Sequence, residues 1–262
     1  MYFLEVEFQL THERLKRPLS YLEGNYAHAA VFSAISKEDP VLGARLHNTQ
    51  RNKHITIAVF GLDNSTSLLR LTFLGEEGLA CADAFMKAVF RETTLRLGPV
   101  TCDVQLAGKG AGAASPMSTY TWADIVAVEP CAHMRIEFVT PTAITKQDLE
   151  GRRFTALFPE PWDVFGGLER RWRGLQGPVL PEDLDLSLKG GGCVLARYNL
   201  RSVEFNTSER TQIGFLGHAV YECRLVHKDT ALALNSLARL SRFSGVGYQT
   251  ARGMGAVQVS VY

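Results

Sequence analysis

SGVGYQTARGMGAV, Ser244 to Val257, is the stretch whose reading decides the fold. It holds Gly245, Gly247, Gly253 and Gly255. The residues before it, DTALALNSLARLSRF, space their apolar side chains as a helix does, with Asp229 as candidate N-cap. Those at its end and beyond, GAVQVSVY, alternate as a strand does. The order is helix, glycines, strand. A dinucleotide fingerprint runs strand, glycines, helix, and here Thr250 stands where G-x-G-x-x-G needs its third glycine. No G-x-x-x-x-G-K-[ST] run occurs either. Glycines this dense serve one of two ends: the backbone turns through positive φ, or something approaches it closely.

Working outward, the stretch is the last crossover of a βαββαβ unit. HMRIEFVTPTAI is a strand closed by Pro141, and PWDVFGGLERRWRGL is a helix with Pro161 in its first turn. CVLARYNLRSVEF and GFLGHAVYECRL are the middle strands. The same order runs through the first half of the chain. Tyr2–Leu10 alternates as a strand, and Asn25–Leu46 reads as two helices broken at Asp39-Pro40. HITIAVF and LLRLTFL flank the turn formers GLDNSTS; GLACADAFMKAVFRET is a helix and VTCDVQLA a strand. The fold class is therefore α+β, two tandem ferredoxin-like (βαββαβ) domains, residues 1–112 and 120–262. The small, Gly-rich linker lies near Gly108–Thr119.

Composition bounds the function. The chain has 262 residues, 46% hydrophobic and 21% charged, an ordinary globular balance. No apolar run is long enough to span a bilayer, and MYFLEVEFQL lacks the basic start of a signal peptide, so no membrane partner and a cytoplasmic location are expected. Five cysteines, none in a C-x-x-C pair, argue against a zinc site or a disulfide framework. The net charge of +1 requires any polyanion to meet a local patch. Such a patch is available in ERRWRG, where Arg170 and Arg173 share a helical face beside Arg171, although this is equally a solvated face with Trp172 packed inward.

Four stretches carry a resemblance to a known family: DPVLGARLHNTQRNKHIT, VTPTAITKQDLEGRRFTALFPEPWDVFGGLERRWRGL, IGFLGHAVYECRL and SGVGYQTARGMGAVQV. With these the chain resembles the CRISPR-associated endoribonucleases that process precursor CRISPR RNA, a branch of the RAMP superfamily. The resemblance implies RNA bound along a groove between two ferredoxin-like domains. It also implies metal-independent cleavage of the repeat leaving a 2′,3′-cyclic phosphate, with no cofactor. It assigns catalysis to His47, in the Leu46-His47 dipeptide that closes the first helix, and phosphate stabilisation to Lys53 six residues on. Some members place a tyrosine on the first helix; the aligned residue here is Phe32, which cannot transfer a proton. Tyr26, His28, His54 or Arg252 are open to compensate, and His28, on that helix, is the next catalytic candidate.

The same resemblance puts the glycine loop beside the active site, where residues without Cβ let backbone N–H groups approach phosphate. Gly245, Gly247, Gly253 and Gly255 give access and Arg252 adds charge. Arg51, His54, Arg170, Arg171 and Arg173 are further RNA contacts, with Lys109, Arg152 and Arg153 behind them. The partners implied are CRISPR repeat RNA and other CRISPR-associated subunits; the oligomeric state is left open. A metal pair of His47 and His54 is disfavoured, since no carboxylate or cysteine stands near them in sequence. The triplets HNT and HIT suit a two-histidine phosphoesterase poorly, because both fall in the first unit. The alternative function is a non-catalytic RAMP subunit that only holds guide RNA.

Overall fold

The computed structural model describes residues 1–13, 16–48, 54–108, 115–206, 211–224 and 226–262. The chain divides into two units, Met1–Tyr120 with Gln249–Gly253, and Thr121–Tyr248 with Met254–Tyr262.

In the first unit, β1 (Tyr2–Thr11) leads into α1 (Gly24–Glu38). A capping box, with Ser20 N–H donating to the Glu23 carboxylate, orders the turn before that helix. α1 buries Ala27, Val31, Ala34 and Ile35, the spacing of one helical face. It stops at Asp39 because Pro40 cannot continue it. Asp39 then begins α2 (Pro40–Asn48): its Oδ1 accepts the Leu42 N–H at 2.9 Å, with proline at the position where a missing N–H costs nothing. There follow β2 (Ile55–Gly61), β3 (Thr66–Leu74), α3 (Gly75–Glu92), β4 (Thr94–Leu97), β5 (Val100–Leu106) and β6 (Met117–Thr121). The hairpin turn between β2 and β3 is closed by Asp63, whose carboxylate accepts the N–H groups of Ser65 and Thr66.

The sheet order is β2-β3-β1-β5-β4, with β6 added alongside β1. Its first four strands are the ferredoxin-like arrangement. Val6, Phe8 and Leu10 alternate onto the helical face, where Phe8 meets Phe85 of α3 edge-on at 5.6 Å. On the other face Glu7 and Arg70, opposite each other in register, form a part-buried ion pair at 2.7 Å.

The second unit comprises α4 (Trp122–Ile125), β7 (His133–Thr142), β8 (Ile144–Gln147), β9 (Arg153–Ala156), α5 (Pro161–Gly174) and α6 (Leu184–Lys189). β10 (Cys193–Asn206), β11 (Thr211–Cys223), α7 (Lys228–Ser244) and β12 (Val257–Val261) complete it. The sheet order β10-β11-β7-β12 repeats the first unit, and β8-β9 is a separate hairpin inserted after β7. Phe138, Phe215, Ala219 and Tyr221 fill the core with Trp172 of α5 and Leu234 and Leu237 of α7.

The structure adds to the expected elements. β4, β6, β8, β9, α4 and α6 are short, and four to six residues show too little periodicity to declare a face. The end of the stretch expected as linker enters β6, and Pro116 just before it accepts the Glu7 N–H at 2.8 Å; residues 109–114 lie outside the described residues. β7 does not close at Pro141 but runs to Thr142, with the Pro141 carbonyl still accepting the Gly255 N–H. Asp229 is not the N-cap of α7. His227 holds that position, and Asp229 lies in the first turn, where the helix dipole favours a negative charge.

Candidate active site

The four glycines of the opening stretch all take positive φ: 67° at Gly245, 80° at Gly247, 86° at Gly253 and 67° at Gly255. Two of them also face crowded backbone. A Cβ on Gly247 would strike the Ala143 carbonyl oxygen, and one on Gly253 would lie 2.6 Å from the Gly24 Cα at the start of α1. So both reasons for glycine hold, and the close approach visible here is by the protein's own backbone. The loop closes on itself where the Val246 N–H donates to Gly255 O at 2.8 Å, and it is tied to the end of β7 where the Tyr248 N–H donates to Ala143 O at 2.8 Å. Gly253→Ala is therefore expected to destabilise the fold by about 1–3 kcal/mol from the left-handed conformation alone, before the clash with Gly24. Thermal unfolding measures it; an unchanged Tm would mean that α1 yields at no cost.

Between the glycines, Thr250–Arg252 forms one 3-10 turn that packs against β2 and α1. His28 on α1 donates Nδ1–H to the Ala251 carbonyl at 2.9 Å, which fixes its tautomer. Phe32, one turn further along α1, packs its ring against that of His28 at 4.1 Å between centroids. The structure thus brings His28, Phe32 and the Arg252 turn together. Tyr26 lies away from them, its ring over Gly98.

His47 is exposed in the last turn of α2, which is anchored by buried Leu42 and Leu46. Lys53 and Arg51 lie outside the described residues, as does Lys109. His54, at the head of β2, has both ring nitrogens directed at partners within its own unit. Nδ1 is 3.1 Å from the Leu74 carbonyl and Nε2 is 3.3 Å from Oε2 of Glu77. The other oxygen of Glu77 is 3.2 Å from Nε of Arg45 on α2. Among the described residues no group of three or more His, Cys, Asp or Glu is placed to hold a metal ion.

On α5 the three arginines part company. Arg170 is exposed; Arg173 pairs with Glu169 at 2.6 Å. Arg171 donates Nη1–H to the Ser244 carbonyl, the last residue of α7, and burial pushes its guanidinium down to about 10. It supports the start of the glycine loop from within the second unit. Trp172 packs inward and donates to the Pro178 carbonyl at 2.7 Å. Arg152 is paired with Asp148 and Glu150, and Arg153 is exposed.

Sequence reasoning missed Glu77 and Gly24. Glu76-Glu77 opening a helix reads as ordinary dipole compensation, and nothing local announces partners on α2 and β2. Gly24 precedes a helix without special spacing, and only the fold brings Gly253 against it.

Two antiparallel βαββαβ units, with a glycine-rich turn before the last strand of the second, make a tandem ferredoxin-like fold. A solved structure described as a RAMP protein binding different RNA substrates shares it across 99% of this chain and 100% of its own, at 12% identity and TM-score 0.65. Residues 136–257 match the family model described as CRISPR-associated endoribonuclease Cas6. A Cas6 product complex is similar over 99% of this chain and 100% of that one, at 26% identity and TM-score 0.83. Cas6 of Thermus thermophilus, at 25% identity, matches 99% of this chain and 98% of its own with TM-score 0.72. Comparison with curated protein sequences finds no match. By the family model over residues 136–257 and by its fold throughout, the chain is similar to the Cas6-type CRISPR-associated endoribonucleases. No helix among the described residues is long and apolar enough to cross a membrane.

Proposed function

We propose that this protein cuts precursor CRISPR RNA within its repeats, in the cytoplasm and without a metal ion, leaving a 2′,3′-cyclic phosphate. The observation that carries the reading is the match of the whole chain to a Cas6 product complex, combined with an exposed His47 at the end of α2. In the reaction the 2′-hydroxyl loses its proton to a base as its oxygen bonds to the adjacent phosphorus. The P–O5′ bond breaks, and the departing 5′-oxygen takes a proton from an acid. Histidine can act as base or acid near neutral pH. We assign one of these transfers to His47 and the other to His28, which occupies the same face of α1 as Phe32 and so stands in for the tyrosine that some members carry. Lys53 and Arg252 offset the charge on the crowded phosphate. Arg51 and Arg170 supply positive charge for the RNA backbone, while Arg171 and His54 serve through the fold, by holding the loop and the head of β2. Other CRISPR-associated subunits would then receive the guide RNA.

Phe32 in place of a proton-transferring tyrosine also suits a subunit that only binds guide RNA. Purified protein mixed in EDTA with the repeat RNA of the array neighbouring its gene is expected to give one discrete cut per repeat. Repeat RNA bound but left intact would favour the binding subunit.

A further inference from the structure

We propose that Glu77 is a positioning residue for RNA cleavage, acting by joining the helix that carries His47 to the head of β2. This rests on the assignment of His47 above. The carboxylate, in the first turn of α3, is shared: Oε1 to Nε of Arg45 at 3.2 Å and Oε2 to Nε2 of His54 at 3.3 Å. Arg45 is two residues before His47, and between them Leu46 is buried. Two leucines anchor one side of α2; Arg45 is the polar hold on another, so the pair restrains rotation of a two-turn helix about its axis. A helix this short has little stability of its own and takes its orientation from such contacts.

The other leg is better built. The Leu74 N–H donates to the His54 carbonyl at 2.8 Å, and the His54 ring meets the Leu74 carbonyl at 3.1 Å, so His54 and the start of α3 are locked together through two bonds. Gly78 keeps them close: a Cβ there would come 2.8 Å from the His54 carbonyl oxygen. Glu77 thus stands on a fixed platform and reaches out to α2. Cys81, one turn further along α3, is the neighbouring titratable group. Burial foremost, with the charge of Glu77 adding to it, pushes its thiol up to about 12, so it remains a neutral bystander.

A half-exposed ion pair contributes little to stability, typically about 0–1 kcal/mol. Placement of a catalytic group is far more sensitive, since a shift of about 1 Å can cost on the order of 10²-fold in rate. The effect of Glu77 should therefore appear in the cleavage rate and hardly in folding or RNA affinity.

The test uses the full chain with the repeat RNA that the parent cuts, measured under single-turnover conditions beside RNA affinity and Tm. Glu77→Ala is expected to lower the cleavage rate constant about tenfold, with affinity and Tm close to the parent. Glu77→Gln, which keeps an oxygen for one partner only, should fall between them and provides the measurement if the alanine variant folds poorly. Arg45→Ala should slow cleavage as well, and Arg45→Ala/Glu77→Ala should be no slower than the slower single variant, because both act through one link. Cleavage within twofold of the parent in both Glu77 variants overturns the proposal, as does a rate that falls only in proportion to lost affinity. His47→Ala run in parallel separates the two levels: if it cuts like the parent, the catalytic assignment itself has failed.

Discussion

His47→Ala binds repeat RNA with nearly parental affinity and cuts it roughly 10²–10⁴ times more slowly, the usual consequence of losing one general acid or base. The two effects separate because different residues carry them. Affinity for RNA comes mainly from cations that displace counterions along the backbone, which here means arginine and lysine. His47 is exposed at the end of a short helix, so its removal opens no cavity and strands no buried partner. Folding should therefore be unaffected, and a Tm equal to the parent's validates the comparison. Single-turnover cleavage together with a binding titration decides the matter. A variant that cuts at the parental rate would remove His47 from the chemistry. One that loses binding and cleavage in equal measure would make it a contact to RNA instead.

A repeat RNA carrying one 2′-deoxy sugar immediately 5′ of the cut is bound and not cleaved by the parent protein, whereas EDTA leaves cleavage of the ordinary RNA unchanged. Removing that hydroxyl removes the nucleophile, so the loss should be complete to the limit of detection rather than partial. The pair of conditions tests the reaction apart from any residue. Cleavage of the deoxy substrate, or a requirement for added magnesium, would make water the nucleophile. His47 would then need a different role even though the likeness to Cas6 structures is unaffected.

The sequence by itself determined the two βαββαβ units, because each long element carries a period of its own. Val31, Ala34 and Ile35 recur as a helix face, and Phe8 and Leu10 alternate as a strand. It also determined that the glycines lie between helix and strand, which excludes a dinucleotide fold. The Leu46-His47 dipeptide, read through its family resemblance, singled out a residue that does stand exposed at the end of α2. Short pairing strands such as β6 stayed hidden, since pairing with β1 depends on a partner more than a hundred residues away in the chain.

Only the tertiary structure decided what individual polar groups do. Arg171 and Arg170 are neighbours in one basic run, yet one is turned to the Ser244 carbonyl and the other to solvent. His54, an expected contact for RNA, has its ring nitrogens at the Leu74 carbonyl and the Glu77 carboxylate. Gly253, expected to admit RNA, has the Gly24 Cα in the space a Cβ would need. In each case the partner is distant in sequence. Periodicity reports the direction in which a side chain points relative to its own element; the group that meets it is set by how that element packs on the others.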